Sequence, residues 1–183
     1  MDMNHWGAGR AAWAAILAVL VGCATAPTVK PDDIPVPLRV TTGEVVSQKL
    51  HAVGTQVYRC RANKDDAARF EWQLEGPDAV LFDKPGHKFG RHYSGPTWEA
   101  DDGSKVVGAV VARADAPQPG AVAWLLLRAK STSGAGVFAG VRYVQRLHTV
   151  GGDAPHDGCA QATAEAEIRQ PYSADYWFYV AKP

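Results

Sequence analysis

A period of two constrains this chain more than any other feature. Phe70, Trp72 and Leu74 alternate with Arg69, Glu71, Gln73 and Glu75. A pleated strand sends successive side chains to opposite faces, so this run predicts a half-buried strand. Val137, Ala139, Val141, Tyr143 and Leu147 share one parity, and Arg142, Arg146 and His148 share the other. That pattern predicts a long strand with a buried and a wetter face. Val106 to Ala112 and Val122 to Leu127 are apolar on both parities, as expected of strands covered on both sides. A last strand is expected over Tyr176, Trp177, Phe178, Tyr179 and Val180. Turn signals separate these runs: Gly76-Pro77-Asp78, Lys84-Pro85-Gly86, Asp102-Gly103, Pro119-Gly120, Ser133-Gly134 and Gly151-Gly152. The Asp102-Gly103 pair suits a two-residue hairpin loop. No window carries a helical stripe, although Ala160 to Ile168 suits one or two helical turns. The fold class is therefore all-β: a single antiparallel β-sandwich or small β-barrel with little helix, its strand order unread.

The amino terminus has the layout of a secretory signal. Arg10 supplies positive charge, and an apolar run from Ala11 ends in Leu20-Val21-Gly22-Cys23. The run is too short to span a bilayer, which takes about 20 apolar residues. Its last four residues read as the processing site of a bacterial lipoprotein, in which the cysteine thiol receives a diacylglycerol and the leader is cut before it. Two or more acyl chains hold a protein stably at a membrane. The alternative is an ordinary secretory signal cut after Ala24 or Ala26. Ala24, in place of an aspartate, favours outer-membrane sorting in enteric-type bacteria. The expected layout is a signal peptide over 1–22, an acylated cysteine with a Pro-rich tether over 23–42, and a β-rich domain over 43–183. Pro27, Pro31, Pro35 and Pro37 mark the tether, which could reach up to roughly 60 Å if extended. The alternative there is an edge strand over Val36 to Val40.

Charge excludes one class of partner. The chain has 19 basic and 19 acidic residues, and the leader removes one of each, Arg10 and Asp2. No basic excess points to nucleic acid. With Cys23 consumed by lipid, Cys60 and Cys159 remain as an even pair in an oxidising compartment and read as one disulfide. The alternative is two independent buried thiols.

Several segments together resemble one family. They are Gly54-Thr55-Gln56-Val57-Tyr58-Arg59-Cys60, the stretch from Gly90 to Trp98, and Trp124-Leu125-Leu126-Leu127-Arg128-Ala129. Gly136 to Val141, Tyr143 to Arg146, Gly158-Cys159 and Pro171 to Tyr176 complete the pattern. Over roughly residues 45 to 180 the chain resembles the domain-of-unknown-function family 3455, secreted or envelope proteins of bacteria and fungi. The resemblance implies one domain, a secretory route and paired cysteines. It implies no activity, ligand or catalytic residue.

The densest polar-aromatic stretch is Arg91 to Glu99, followed by Asp101. Its ligand-binding candidates are His92, Tyr93, Trp98, Glu99 and Asp101: aromatics for an apolar body, His92 and Glu99 for orientation. The plainer reading is a Gly95-Pro96 corner between two strands, with His92 or Trp98 capping the core. Ser94 with His92 and Asp101 makes a poor triad, because no nucleophile elbow surrounds the serine. His87 with His92, and His148 with Asp153, His156 and Asp157, are weak metal pairings, and no metal site is assigned. Tyr172, Tyr176, Trp177 and Tyr179 read as core with a tyrosine edge, or else as a stacking surface for a sugar or peptide. No dinucleotide or phosphate-loop fingerprint is present, so no cofactor is implied. The expectation is a lipid-anchored protein of the bacterial cell envelope, at the outer membrane and facing the periplasm, of unknown activity and serving as a ligand- or partner-binding module. Its partners would be the membrane through Cys23 and an envelope protein, a glycan or a small molecule. One alternative is an envelope hydrolase using His92 with Glu99 or Asp101; the other is a structural lipoprotein without a pocket.

Overall fold

The computed structural model describes residues 33–40, 43–84 and 86–183. The leader, Cys23 and the first part of the Pro-rich stretch lie outside these residues. Eight strands follow one another: β1 (Glu44–Ala62), β2 (Phe70–Phe82), β3 (Lys88–Tyr93), β4 (Thr97–Ala100), β5 (Lys105–Ala114), β6 (Trp124–Ser133), β7 (Val141–Gly151) and β8 (Glu167–Ala181). Each pairs antiparallel with its neighbour in sequence, and β8 returns to β1 to close a barrel. Of the two expected architectures, the barrel is the one formed. Closure removes the sheet's open edges, and eight strands leave an interior that side chains can fill or that can hold one small ligand.

The up-and-down order gives the barrel two distinct ends. The segments 63–69, 94–96, 115–123 and 152–166 lie at one end, here termed the upper. The segments between β2 and β3, β4 and β5, and β6 and β7 lie at the lower end. Below, the interior is full. Leu50, Leu81, Trp98, Val106, Phe138 and Phe178 are at most 2 % exposed. Phe138 sits 4.7 Å from the Phe178 ring and 6.1 Å from Phe89, so its loop plugs the barrel. Gly108 makes room for this packing: a Cβ there would lie 3.0 Å from Trp98 and 3.1 Å from Leu127.

Asp102 fastens the lower loops to one another. One carboxylate oxygen accepts from Ser104 N and Oγ at 2.8 and 2.6 Å, and the other accepts from Val137 N at 2.9 Å. The Asp102-Gly103 turn is thus a four-residue connection over 101–104 and not the two-residue loop expected. Its side-chain bonds do what a tighter turn would do with backbone alone.

Both faces of β6 are covered from Trp124 to Leu127, as that run predicts, whereas Val110 and Val111 of β5, expected to be covered likewise, are more than half exposed. Leu125 and Leu127 point inward, while Trp124 and Leu126 face an outer layer with Leu147, Trp177 and Tyr179. Ile34 and Leu38 provide the cover, at 4 % and 0 % exposure. A 3-10 turn, Val36–Leu38, replaces the edge strand considered for Val36 to Val40. Gln145 Nε2 donates to the Leu38 carbonyl at 2.6 Å, and the Tyr179 hydroxyl donates to Gln145 Oε1 at 2.5 Å. The end of the expected tether is therefore part of the folded body, because its two apolar residues fill a groove on the wall.

β7 departs from the simple alternation. Its pairing with β8 shifts between Val141 and Tyr143, and a one-residue slip exchanges the two faces of a strand. Val141 and Val144 lie inside, whereas Tyr143 and Leu147 belong to the outer layer. Residues 137–140 precede the strand. Arg146, expected on the wet face, consequently shares the inward parity of Val144. Cys60 and Cys159 form a disulfide, with Cα atoms 5.4 Å apart, joining the end of β1 to the 152–166 segment. That segment contains one 3-10 turn, Gln161–Thr163, matching the shorter helical expectation.

Candidate functional site

The upper half of the barrel is not filled. A cavity of about 610 Å³ opens there, within the range of small-molecule sites. Its apolar lining comes from Leu74 of β2, Val110 of β5, Leu125 of β6 and Val122 just before β6. Leu74 and Val110 are 56 % and 53 % exposed, which places apolar side chains at the mouth. Polar side chains reach it from β1 (Gln56, Tyr58), β3 (His92) and β7 (Arg146), with Glu75, Arg113 and Asp153 also in the lining. Gln56 is 1 % exposed, and neither its amide nitrogen nor its oxygen has a partner among the described residues. Tyr58 donates to the Gly152 carbonyl at 2.7 Å. Burial, with Asp153 nearby, pushes its hydroxyl up to about 12, so it remains a neutral donor. Gly152 has φ +85°, and a Cβ on it would meet Tyr172 at 2.7 Å and Gln56 at 3.1 Å. Only glycine combines that backbone with that closeness.

Arg146 reaches into the same space. Its Nε donates to the Ala123 carbonyl at 3.0 Å. Its charge acts on the buried hydroxyl of Tyr176, which burial pushes up and the guanidinium pulls down. His92 also lines the cavity and is 2 % exposed. Burial lowers its imidazole to about 3, so the ring is neutral. Nδ1 lies 2.8 Å from the Thr97 carbonyl and must be the protonated nitrogen, leaving Nε2 as an acceptor. Trp98 stacks on His92 at 4.5 Å with 5° between planes, and Tyr176 meets both rings edge-on at 4.8 and 5.2 Å. These aromatics separate the cavity from the packed lower half.

The five residues proposed from the 91–101 stretch are dispersed by strand alternation. His92 and Trp98 pair across β3 and β4 on the inner face; Arg91 and Glu99 pair on the outer. His92 alone of the five lines the cavity. Glu99 accepts from Arg91 at 2.8 Å and Tyr93 at 2.9 Å, and Lys105 lies at 3.4 Å. The Tyr93 and Arg91 hydrogen bonds hold its carboxyl below the usual range. Asp101 lies in the lower turn beside Lys88 at 3.6 Å. His92 therefore converges on a cleft with neither Glu99 nor Asp101, and the general acid–base pairing suggested by the sequence has no geometry here.

The aromatic cluster of the last strand divides likewise. Tyr172 and Tyr176 face inward, and Trp177 and Tyr179 face the outer layer. A second polar constellation sits on the outer wall. Asp175 accepts from His51 Nδ1 at 2.7 Å and from His148 Nδ1 at 2.6 Å. Burial alone would raise this carboxyl, but the two histidines hold it at about 2. His51 is raised in turn by its bond to Asp175. Among the described residues no group of three or more His, Cys, Asp or Glu stands ready to hold a metal ion.

Gln56, Tyr58 and Arg146 are the cavity residues that sequence reasoning missed. Gln56 and Tyr58 continue the inward parity of Leu50 and Ala52 along β1, but Gly54 and Gln56 interrupt the apolar run and leave that parity without a clear period of two. Arg146 was visible only as one of three polar residues on an apparent outer face. Residues 41–180 match the family model described as Protein of unknown function (DUF3455). No curated protein and no solved structure matches the chain.

Proposed function

The chain belongs to the family of proteins of unknown function DUF3455, and from that premise we propose that it is a lipid-anchored envelope protein whose barrel binds a small ligand. The cavity at the upper end carries this reading: an apolar enclosure with a few inward polar groups is the ordinary form of a small-molecule site. It favours a binding module over a structural lipoprotein without a pocket. The scattering of His92, Glu99 and Asp101 disfavours the hydrolase. Leu20-Val21-Gly22-Cys23 supports the anchor. With Ile34 and Leu38 seated on the barrel wall, the tether shortens to residues 24–33, roughly 30 Å if extended.

Two measurements test the two halves of the proposal. The neutral fluorophore N-phenyl-1-naphthylamine should bind the wild-type domain with a rise in emission, and Leu125→Trp, which fills the cavity, should abolish the rise. No binding, or binding indifferent to that substitution, would reject the site. Cys23→Ser should move the protein from the detergent-extracted membrane fraction to the soluble one; retention in membranes would reject the anchor.

A further inference from the structure

The polar end of the cavity is specific enough to name a class of ligand. Arg59, Arg61, Arg91, Arg142 and Arg169 all form ion pairs with carboxylates. Arg146, inside the barrel, forms none among the described residues; its Nε donates to the Ala123 carbonyl and its guanidinium also hydrogen-bonds the Tyr176 hydroxyl, which leaves part of a five-donor fork for a ligand. Beside the same space stands Gln56, buried, with both amide atoms unpartnered. A buried amide without a partner costs about 1–3 kcal/mol, which native structures rarely leave uncompensated. An acceptor seated between the two side chains takes hydrogen bonds from the guanidinium and from Gln56 Nε2, while Gln56 Oε1 calls for a donor of its own.

The other charges around the cavity set the ligand's own charge. Glu75 is taken by Arg61 at 2.9 Å and Arg59 at 3.6 Å. Arg113 is exposed at the rim, and Asp153 acts on Tyr58. His92, neutral in its stack, adds no positive charge. Arg146 as the inner cation, with Arg113 out at the rim, suits one negative charge at the inner end better than the two of a phosphate monoester. A planar carboxylate also matches the guanidinium fork. The remaining lining is aliphatic and opens toward Leu74 and Val110.

We infer that the cavity takes a small amphipathic monocarboxylate, its head between Arg146 and Gln56 and its apolar body toward Leu74, Val110 and Leu125. This rests on the binding reading above and adds the chemistry of the ligand. A neutral alcohol offers these side chains one oxygen and no charge, whereas a carboxylate offers two charged oxygens, and charge-assisted hydrogen bonds are the stronger ones.

The test is displacement of N-phenyl-1-naphthylamine by decanoate and by decan-1-ol at neutral pH. Decanoate should compete at least about tenfold better, in line with a hydrogen bond to a charged group. Arg146→Met should bring the two competitors together, each read against the fluorophore's own affinity for that variant. Gln56→Leu, which keeps Arg146 in place, should narrow the gap; should Arg146→Met fail to fold, this variant decides. Equal competition in wild type, or a gap unchanged in both variants, overturns the carboxylate assignment and leaves the binding site standing. A fluorophore that never binds overturns the site itself, and the assignment with it.

Discussion

The two ends of this barrel are made from the same eight strands and have opposite interiors. Below the His92–Trp98 stack, Phe138, Phe178, Leu81 and Val106 are buried in one core cluster, with the Phe138 and Phe178 rings in contact. Above it, a cavity of about 610 Å³ keeps an arginine and an unpartnered amide. The lower end thus carries cohesion, and the upper end is the place where the fold forgoes packing. Close-packed interiors are the rule, and the proposed ligand site lies where this interior departs from it.

The largest expected effect lies at the plug. Phe138→Ala should cost about 3–5 kcal/mol of unfolding free energy, the usual range for a fully buried aromatic, measured by chemical denaturation. Leu125→Ala, lining a space already empty, should cost distinctly less. Equal costs would break the contrast between the ends. Next is the disulfide, which ties the upper rim to β1. Replacing Cys60 and Cys159 by serine should cost roughly 2–5 kcal/mol, and fluorophore binding should weaken in conditions where the barrel is still folded.

The third prediction concerns the stack between the ends. His92 titrates near 6.5 when unfolded and about 3 when folded. The unfolded chain therefore binds the proton first as pH falls. Stability from this residue is whole above about pH 6.5 and declines at up to about 1.4 kcal/mol per pH unit toward pH 3. Denaturation across that window should show the decline in wild type and a shallower one in His92→Leu; identical slopes would remove His92 from the argument. His51 has the opposite sign. Its raised value makes its bond to Asp175 a contribution present below about pH 6.5 and lost as pH rises through the folded value. Its exposure limits this to under about 1 kcal/mol, and Asp175→Asn should remove it. The smallest effect should come from Gln56→Leu, neutral or stabilising by up to about 1 kcal/mol, because it removes an unpartnered amide. A clear loss of stability would mean that Gln56 serves the fold and not a ligand.

Sequence and structure agree where the information is local. The alternation around Phe70, Trp72 and Leu74 forms β2, and the cysteine pair closes as expected. Both faces of Trp124 to Leu127 are covered, although nothing in those residues says that Ile34 and Leu38 supply the cover. Closure by β1 with β8 joins strands more than a hundred residues apart, a non-local choice that no run of residues records. Register shifts did the rest. The slip after Val141 turned Arg146 from an expected surface residue into the charge within the cavity. The 91–101 stretch looked like one site because its residues are adjacent in sequence. A hairpin sends adjacent residues to opposite faces, and only His92 reached the cavity.

The contrast between the ends can be read directly by methyl NMR of the wild-type domain titrated with N-phenyl-1-naphthylamine. A ligand-binding upper end predicts shifts at Leu74, Val110, Val122 and Leu125, with Leu50, Leu81 and Val106 unmoved. Shifts confined to the lower set, or none at saturating fluorophore, would contradict a binding site at the upper end of the barrel.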